Sequence, residues 1–234
     1  CVMKVFVTGG TGYIGSHTVV ELQQKGFEVV IADNLVNSTL QVLDGIQKIT
    51  GIRPEFEQIE LTNLAETRDF FARHRDIEAV IHFAALKAVG ESVDKPLEYY
   101  YNNLNSLMNV LTCMREFKVP NLVFSSSCTV YGQADVLPVT EKTPRHEAES
   151  PYGNTKVMSE DIIRDLMRVE PDMKALALRY FNPIGAHPTA FIGEFPNGVP
   201  NNLIPYLTQT AIGIREQLSV FGDDYNTPDG SPLR

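Results

Sequence analysis

The sequence SPYGNTKV, at residues 150–157, places a tyrosine four residues ahead of a lysine, just after a proline that can open a helix. Four residues make about one helical turn, so the side chains of Tyr152 and Lys156 would project from the same face. A tyrosine, with an ordinary pKa of about 10, is a poor base at neutral pH, but a nearby ammonium group favours its phenolate form. The spacing therefore predicts that Tyr152 transfers a proton and that Lys156 tunes its ionisation, although such a pair also arises by chance.

Three serines precede this pair in the chain. Ser125, Ser126 and Ser127 stand at the end of NLVFSS, residues 121–126, an apolar stretch that predicts a strand. Ligands of parallel sheets bind beyond the carboxyl ends of the strands, so the serines lie where an active site is expected. We predict that Ser127 holds the reacting oxygen of a substrate while Tyr152 takes its proton. For any one of these serines taken singly, an ordinary loop residue is the better interpretation.

The glycine-rich sequence TGGTGYIG, at residues 8–15, directly follows the apolar run KVFV. Gly10, Gly12 and Gly15 match G-x-G-x-x-G in the required context of a strand followed by a helix, and counting from Gly9 gives the wider GxxGxxG spacing. A turn without side chains lets the backbone approach a pyrophosphate, whose charge the helix N-terminus stabilises. The motif predicts a dinucleotide site; a glycine-rich turn without a ligand is the alternative.

Asp33 indicates which dinucleotide is bound. It lies at the predicted end of the second strand, 18 residues after Gly15, where a carboxylate accepts hydrogen bonds from the adenosine ribose and repels a 2′-phosphate. We therefore predict NAD rather than NADP. The positive nicotinamide of NAD would further favour the phenolate of Tyr152, which could remove a hydroxyl proton while hydride passes from the same carbon to NAD.

The elements that must position these residues follow from the apolar pattern. Continuously apolar strands separated by helices predict an α/β fold, a Rossmann-type doubly wound parallel sheet covered on both faces. The strands are expected at about 4–8, 28–32, 55–59, 79–83, 121–126 and 174–178, and the helices at about 14–25, 64–75, 96–117 and 151–168. Beyond residue 178 the sequence is rich in Pro, Gly and Asn, and a helix at about 202–216 and a short strand at 217–221 follow. This change predicts an NAD-binding domain at 1–178 and the first part of a smaller substrate-binding domain at 179–234.

The bulk composition limits the classes of function. The 234 residues carry a net charge of −9, which disfavours nucleic acid and anionic membranes as partners, and no stretch is apolar for long enough to span a bilayer. Three cysteines without a CxxC pair fit a reducing compartment, so we expect a cytoplasmic protein. The five histidines show no metal-ligand spacing, and GxSxG and Walker A sequences are absent, so no metal is expected. His82, inside an apolar strand, is expected to be a core residue rather than a base.

Together, the glycine-rich turn, Asp33, the serine run and the YxxxK pair resemble the extended short-chain dehydrogenase/reductase family. Within it the chain is similar to the 4-epimerases of UDP-glucose and UDP-galactose, through HFAALKAVGES, YYYNNLNS, FSSSCTVYG, RYFNPIGAHP, GVPNNLIPY and FGDDYNTPDG. The resemblance implies catalytic roles for Ser127, Tyr152 and Lys156. It implies NAD contacts for Gly9, Gly12, Tyr13, Ile14, Gly15, Asp33, Asn34, Glu60, Leu61, Phe83, Ala84, Lys87, Asn102, Ser125, Tyr152, Lys156 and Tyr180. It implies UDP-sugar contacts for Lys87, Ser127, Tyr152, Asn182, Asn202, Leu203, Phe221 and Arg234, the last meeting the diphosphate.

The same resemblance implies a reaction and an assembly. Tightly held NAD oxidises C4 of a UDP-hexose to a 4-keto sugar, the sugar turns, and hydride returns to its other face, which inverts C4. Two subunits are expected to pair through the helices at 96–117 and 151–168. The chain departs from the family at Glu60, where Asp is usual, and at Cys128, where Ala is usual. Family members continue for roughly another hundred residues, so we expect a truncated chain.

Other functions remain open at this stage. A nucleotide-sugar 4,6-dehydratase is disfavoured because Cys128 and Thr129 stand where that enzyme needs an acid pair. Epimerases of other UDP-sugars, carrying a uronic acid, a pentose or an N-acetylhexosamine, share the same motifs. A non-catalytic NAD-binding fragment is the alternative from another class.

Overall fold

Six strands form one parallel sheet in the computed structural model, which describes residues 2–200, 202–220 and 222–231. Their order across the sheet is β3-β2-β1-β4-β5-β6. This is the doubly wound order, in which β2 and β3 are added on one side of β1 and β4 to β6 on the other, so that the strand order reverses between β1 and β4. The strands are β1 at Lys4–Thr8, β2 at Glu28–Asp33, β3 at Glu55–Gln58, β4 at Ile77–His82, β5 at Asn121–Ser127 and β6 at Lys174–Tyr180. The predicted α/β fold with a parallel sheet is confirmed.

Helices connect these strands on both faces of the sheet, and one further helix follows the last strand in the chain. Their bounds are α1 at Tyr13–Gln24, α2 at Gln41–Thr50, α3 at Leu64–Arg73, α4 at Val89–Asp94, α5 at Pro96–Phe117, α6 at Pro151–Val169 and α7 at Leu203–Ala211. The start of α6 has two local causes. Ser150 accepts a hydrogen bond from the backbone N–H of Gly153 at 3.1 Å, and Pro151 occupies the first turn, where its missing N–H costs nothing. Tyr152 is therefore fixed in the first turn of α6.

Two hydrophobic clusters bury the two faces of the sheet. Along β1, Phe6 belongs to the cluster that packs under α3 and α5, whereas Val5 and Val7 belong to the cluster under α1 and α2. This alternation follows from the two-residue period of a strand. Burial on both faces explains why β1 and β2 are apolar along most of their length. The edge strand β3, EFEQ, is less buried and mostly polar.

Four local predictions differ from the structure. The sequence analysis missed α2 and α4, and it placed the end of the last helix at 216 although α7 ends at Ala211. Gly213, with φ +81°, takes a left-handed conformation that a helix cannot continue. The predicted strand at 217–221 was wrong within the described residues, since 217–220 are not a strand and Val220 is 75% exposed.

The chain divides into two compact units, Cys1–Glu194 and Phe195–Arg234. The segment after β6 belongs to the first unit because it packs on α1 and α2. The hydroxyl of Tyr13 donates to the carbonyl of Gly185 at 2.7 Å, Ile192 is buried in the cluster under α2, and a Cβ at Gly45 would lie 2.3 Å from the carbonyl oxygen of Phe191. The domain boundary near residue 178 stays a prediction, while the compact unit itself runs 16 residues further. None of the helices in the described ranges is both long and apolar enough to cross a membrane.

Candidate active site

The carboxyl ends of four strands bring most of the predicted site residues of the first unit to one edge of the sheet. Here β1 leads into the glycine-rich turn, β4 into Phe83, β5 ends with the three serines, and β6 ends at Tyr180. Because all strands are parallel, these ends lie side by side, with Ser127 paired to Tyr180. This edge includes the gap between β1 and β4, where the strand order reverses. Sheets with this order bind their ligands at that position.

The backbone of the glycine-rich turn packs so closely against neighbouring backbone atoms that Gly9 and Gly15 have no room for a side chain. Gly9 has φ +66°, and a Cβ there would lie 2.9 Å from the backbone N of Ala84. A Cβ at Gly15 would lie 2.3 Å from the carbonyl oxygen of Gly9. Helix α1 begins after Gly12, which supplies no side-chain cap for the first backbone N–H groups. The turn therefore fits a pyrophosphate bound by backbone N–H groups at the start of α1.

Asp33, the last residue of β2, has its carboxylate held by the following loop. The carboxylate accepts from the N–H of Leu35 at 2.9 Å, from the hydroxyl of Ser38 at 3.3 Å and from the N–H of Thr11 at 3.4 Å. The last contact links the carboxylate to the glycine-rich turn. Asp33 thus lies next to the turn, as a ribose-binding carboxylate must. Ser38 was not found from sequence, because only the loop conformation brings it to Asp33.

The pair Glu60 and Leu61 lies beyond β3, beside the end of β2. The Glu60 carboxylate accepts from the side chain of Asn34 at 3.0 Å and from the N–H and hydroxyl of Thr62 at 3.0 and 2.9 Å. Partial burial acts to raise the pKa of Glu60, but these hydrogen bonds outweigh it and lower that pKa below its ordinary value. Leu61 is 5% exposed and belongs to the core. Its contact with adenine stays a prediction.

Phe83 and Ala84 are held against β1 by one threonine. The hydroxyl of Thr8 accepts from the backbone N–H groups of both residues at 3.1 Å and also bonds to Nδ1 of His82 at 2.9 Å. Burial, followed by the charge of Lys156, lowers the pKa of His82 to about 3. His82 is therefore a neutral, hydrogen-bonded core residue, which confirms the expectation from sequence.

Tyr152 and Lys156 project from α6 toward the serine run at the end of β5. The ammonium of Lys156 donates to the carbonyl of Ser125 at 2.7 Å and lies 5.8 Å from the centre of the Tyr152 ring. Burial lowers the pKa of Lys156 to about 8. Burial raises the pKa of Tyr152, and a hydrogen bond with Ser127 only partly opposes this. The three predicted catalytic side chains are therefore brought together.

The sequence predicts a lowered pKa of Tyr152 from Lys156 together with the positive nicotinamide of bound NAD. In the structure the protein residues alone raise that pKa, because burial is the largest effect and Lys156 is directed to the carbonyl of Ser125 rather than to the phenol oxygen. A phenolate at neutral pH therefore needs a further positive charge.

The residues that fix α6 against its neighbours were not found from sequence. The hydroxyl of Ser92 accepts from the N–H of Tyr152 at 3.1 Å. The amide of Asn103, 4% exposed, donates to the carbonyl of Leu86 at 3.0 Å and to the hydroxyl of Thr155 at 3.2 Å, and it accepts from Asn102 at 2.9 Å. Asn102, a predicted NAD contact, is thus held beside a buried amide that joins α5 to α6. A buried polar residue inside an apolar helix pattern was the available signal.

The remaining predicted residues have mixed placements. Lys87 is exposed, with its ammonium 3.8 Å from the carboxylate of Glu194, and the ring of Tyr180 lies 6.5 Å from that of Phe83. Asn182 is exposed. In the second unit, Asn202 directly precedes α7 and Leu203 begins it, 54% exposed. Phe221 and Arg234 lie outside the described residues.

Within residues 2–200, 202–220 and 222–231, no three His, Cys, Asp or Glu side chains come together in a way that could hold a metal ion.

Comparison with known proteins agrees with this geometry. The family described as "NAD dependent epimerase/dehydratase family" matches residues 5–234. The UDP-glucose 4-epimerase of Schizosaccharomyces pombe is 51% identical over 234 residues, which cover 98% of this chain and 65% of that protein. The enzyme of the same name from Bacillus subtilis is 51% identical, with 99% and 68% covered.

A solved structure gives the same result. The crystal structure of UDP-glucose 4-epimerase from Bifidobacterium longum in complex with NAD+ and UDP superposes with a TM-score of 0.94 at 45% identity, covering 97% of this chain and 68% of that one. The chain thus spans about two thirds of the length of the relatives it matches. The sequence-based resemblance is confirmed, and the chain belongs to the NAD dependent epimerase/dehydratase family.

Proposed function

We propose that the chain binds NAD at the edge formed by the glycine-rich turn, Asp33 and the serine run. Support comes from the shape of the turn, where a Cβ at Gly15 would collide with the carbonyl of Gly9, and from the Asp33 carboxylate beside it. The pyrophosphate would meet the backbone at Gly12, Tyr13 and Ile14. When bound, NAD supplies a reversible hydride acceptor.

We further propose that the whole protein is a 4-epimerase that interconverts UDP-glucose and UDP-galactose. The observation that carries this proposal is the grouping of Ser127, Tyr152 and Lys156 at the carboxyl ends of the strands, in a chain 51% identical to two UDP-glucose 4-epimerases. The chain covers only about two thirds of the length of these relatives, so the activity is proposed for the whole protein and not for these residues alone. Asn182, Asn202, Leu203, Phe221 and Arg234 are proposed to bind the UDP-sugar.

Each catalytic side chain has a distinct task in this reaction. Ser127 holds the hydroxyl of the reacting carbon, and Tyr152 removes and later returns its proton. Burial keeps Tyr152 protonated in the protein alone by raising its pKa. A positive nicotinamide ring next to the phenol would lower that pKa, so proton removal is favoured when oxidised NAD is in place. Lys156, with a pKa of about 8, adds charge and a donor for the nicotinamide ribose.

We propose a homodimer as the working assembly. The helices α5 and α6, which pack against each other, expose large apolar side chains, with Leu97 78%, Met108 41% and Met158 38% exposed. Apolar side chains of this size on one pair of helices are typical of a protein–protein contact. Cytoplasmic location stays a prediction from cysteine usage and charge.

The decisive experiment is turnover of UDP-galactose to UDP-glucose by the full-length protein without added NAD. We expect turnover in the wild type and a fall of about two to four orders of magnitude in kcat for Tyr152→Phe, which keeps the ring but removes the proton. Tyr101→Phe, which removes a hydroxyl from a residue 63% exposed on α5, is the matched control. Equal rates for wild type and Tyr152→Phe would refute the role of Tyr152.

The same assay separates the alternative substrates. UDP-N-acetylglucosamine, UDP-glucuronic acid and UDP-xylose are offered in parallel, and a higher kcat/KM for one of them would replace UDP-glucose as the substrate. Retention of NAD with no turnover of any UDP-sugar would favour the non-catalytic NAD-binding alternative.

A further inference from the structure

A buried carboxylate, which the proposed reaction does not use, joins the ends of two strands to α6. Glu160 is 7% exposed. One carboxylate oxygen accepts from the hydroxyl of Ser126 at 2.6 Å and from Nε of Arg179 at 2.9 Å, and the other accepts from Nη2 of Arg179 at 2.8 Å. Arg145 lies 3.6 Å away. A two-point contact between carboxylate and guanidinium fixes orientation as well as distance.

The residues that Glu160 binds are direct neighbours of the active-site residues. Ser126 lies between Ser125, whose carbonyl accepts from Lys156, and Ser127, which hydrogen-bonds Tyr152. Arg179 directly precedes Tyr180, and Ser126 pairs with Arg179 in the sheet. The Glu160 carboxylate therefore bonds to both β5 and β6, one residue away from Ser127 and from Tyr180.

Glu160 lies on the same helix, α6, as the proposed catalytic residues Tyr152 and Lys156. It follows Lys156 by four residues and Tyr152 by eight, so the three side chains share one helical face. The strand β5 continues three residues past Phe124, its last pairing with β4. Ser125, Ser126 and Ser127 therefore pair with β6 but not with β4. The hydrogen bond from Ser126 to Glu160 holds this end of β5 at a fixed distance from α6.

The carboxylate is ionised at neutral pH. Burial acts to raise the pKa of Glu160, but the hydrogen bonds from Arg179 and Ser126 and the charges of Arg179 and Arg145 outweigh it and lower that pKa. The Arg179 guanidinium also lies over the ring of Tyr131, 4.8 Å from its centre. The contact is therefore present throughout the pH range in which an enzyme of this kind works.

We propose that Glu160 is a positioning residue that, through Ser126 and Arg179, sets the distance between the serine run and the Tyr152–Lys156 pair. Its catalytic consequence rests on the proposed function, whereas its effect on the geometry around Tyr152 does not. Displacements near 1 Å at a reacting centre lower rates by about a hundredfold. Loss of the contact should thus lower kcat while leaving substrate binding unchanged.

Three variants test this role in the full-length protein. Glu160→Gln keeps the size of the side chain but removes its charge. Ser126→Ala removes only the link to the serine run and leaves the Glu160–Arg179 pair in place, so it decides the question if Glu160→Gln does not fold. Asp161→Asn is the control, because Asp161 pairs with Arg145 at 2.7 Å, on the same helix, but is not bonded to either strand in the described residues.

Kinetics give the first readout. We expect kcat to fall about tenfold to a hundredfold in Glu160→Gln and Ser126→Ala, with KM for UDP-glucose within about twofold of the wild type. The double variant should lose less than the product of the two single losses, since both changes break one link. Asp161→Asn should keep the wild-type kcat. An unchanged kcat in Ser126→Ala, or a rise in KM alone, overturns the proposal.

A second readout does not depend on turnover. In protein carrying 13C at the tyrosine Cζ, the Tyr152 signal is identified by its absence in Tyr152→Phe. Because the hydrogen bond with Ser127 lowers the pKa of Tyr152, we expect that pKa to rise in Ser126→Ala and Glu160→Gln and not in Asp161→Asn. If the wild type does not convert UDP-glucose, the proposed function fails and this titration alone decides the positioning role. Identical titration curves overturn it.

Discussion

The substitution Lys156→Met tests the electrostatics of the site, because it removes a charge that burial destabilises. Lys156 is 4% exposed, and burial lowers the pKa of its ammonium from an ordinary 10.5 to about 8. At about 1.4 kcal/mol for each pH unit, a charged Lys156 at neutral pH costs the folded protein about 3 kcal/mol. Methionine removes this cost but also removes the charged hydrogen bond to the carbonyl of Ser125, which is worth about 1.5–3 kcal/mol. We therefore expect the variant to be at least as stable as the wild type at pH 7, by up to about 1.5 kcal/mol.

The pH dependence separates the charge effect from a change in packing. Between pH 8 and 10.5 the unfolded chain keeps a proton on Lys156 that the folded protein has released, so the stability of the wild type rises with pH in this window. At pH 7 both states are protonated and the full cost is present. By pH 9.5 about 2 kcal/mol of it is gone. The unfolding free energy of Lys156→Met relative to that of the wild type should therefore fall by about 2 kcal/mol between pH 7 and pH 9.5.

Urea unfolding followed by circular dichroism measures this difference in protein from which NAD has been removed. Other titrating groups cancel, because they are common to both proteins. Lys142→Met, a change at an exposed lysine, is the control and should follow the wild type at both pH values. If Lys156→Met and the wild type change in parallel from pH 7 to 9.5, the folded protein does not lower the pKa of Lys156, and the account of the buried ammonium is wrong.

Two further substitutions test the glycine-rich turn and the core beneath it. In Gly15→Ala the new Cβ would lie 2.3 Å from the carbonyl oxygen of Gly9, so we expect the unfolding free energy to fall by roughly 1–3 kcal/mol and NAD binding, measured by calorimetry, to weaken at least about tenfold. Gly90→Ala, where a Cβ would meet nothing within 4 Å, should leave NAD binding unchanged and, because Gly90 lies in α4, should raise rather than lower the unfolding free energy; losses equal to those of Gly15→Ala would contradict the steric argument. For His82, burial lowers the pKa from 6.5 to about 3, so its contribution to stability is present above pH 6.5 and is lost as the pH falls toward 3. His82→Phe should therefore lose about 3 kcal/mol less stability than the wild type between pH 6.5 and 4 in denaturant titrations, and parallel losses would show that His82 is protonated in the folded protein.

The sequence predicted the fold and the edge of the sheet that holds the site because both depend on local patterns. The run KVFV and the glycines after it specify a buried strand and a tight turn within about a dozen residues. Likewise, NLVFSS followed by SPYGNTKV fixes the end of β5 and the first turn of α6 without reference to the rest of the chain. Parallel pairing then brings these segments together.

The features that the sequence analysis missed depend on contacts between distant segments or on backbone conformation. Glu160 reaches Ser126 across 34 residues and Arg179 across 19, and nothing in the helix pattern of α6 distinguishes it from a surface glutamate. The end of α7 required recognition that Gly213 adopts a left-handed conformation. The raised pKa of Tyr152 could not be foreseen, because spacing gives proximity to Lys156 but not the direction of its ammonium or the degree of burial.

Two buried charges lie on one face of α6, and the fold stabilises one of them but not the other. The stabilised charge has the structural role and the other has the proposed catalytic role. Glu160 is matched by a guanidinium bound at two points, so its charge is stabilised inside the fold. Within the described residues, the ammonium of Lys156 contacts a backbone carbonyl and lies over the rings of Phe124 and Tyr152, and burial dominates its pKa. Folding alone does not favour an ammonium there, since burial destabilises its charge. A ligand that accepts hydrogen bonds from this ammonium would offset part of the free-energy cost of burying its charge. We therefore expect Lys156 to strengthen binding of the dinucleotide through its ribose.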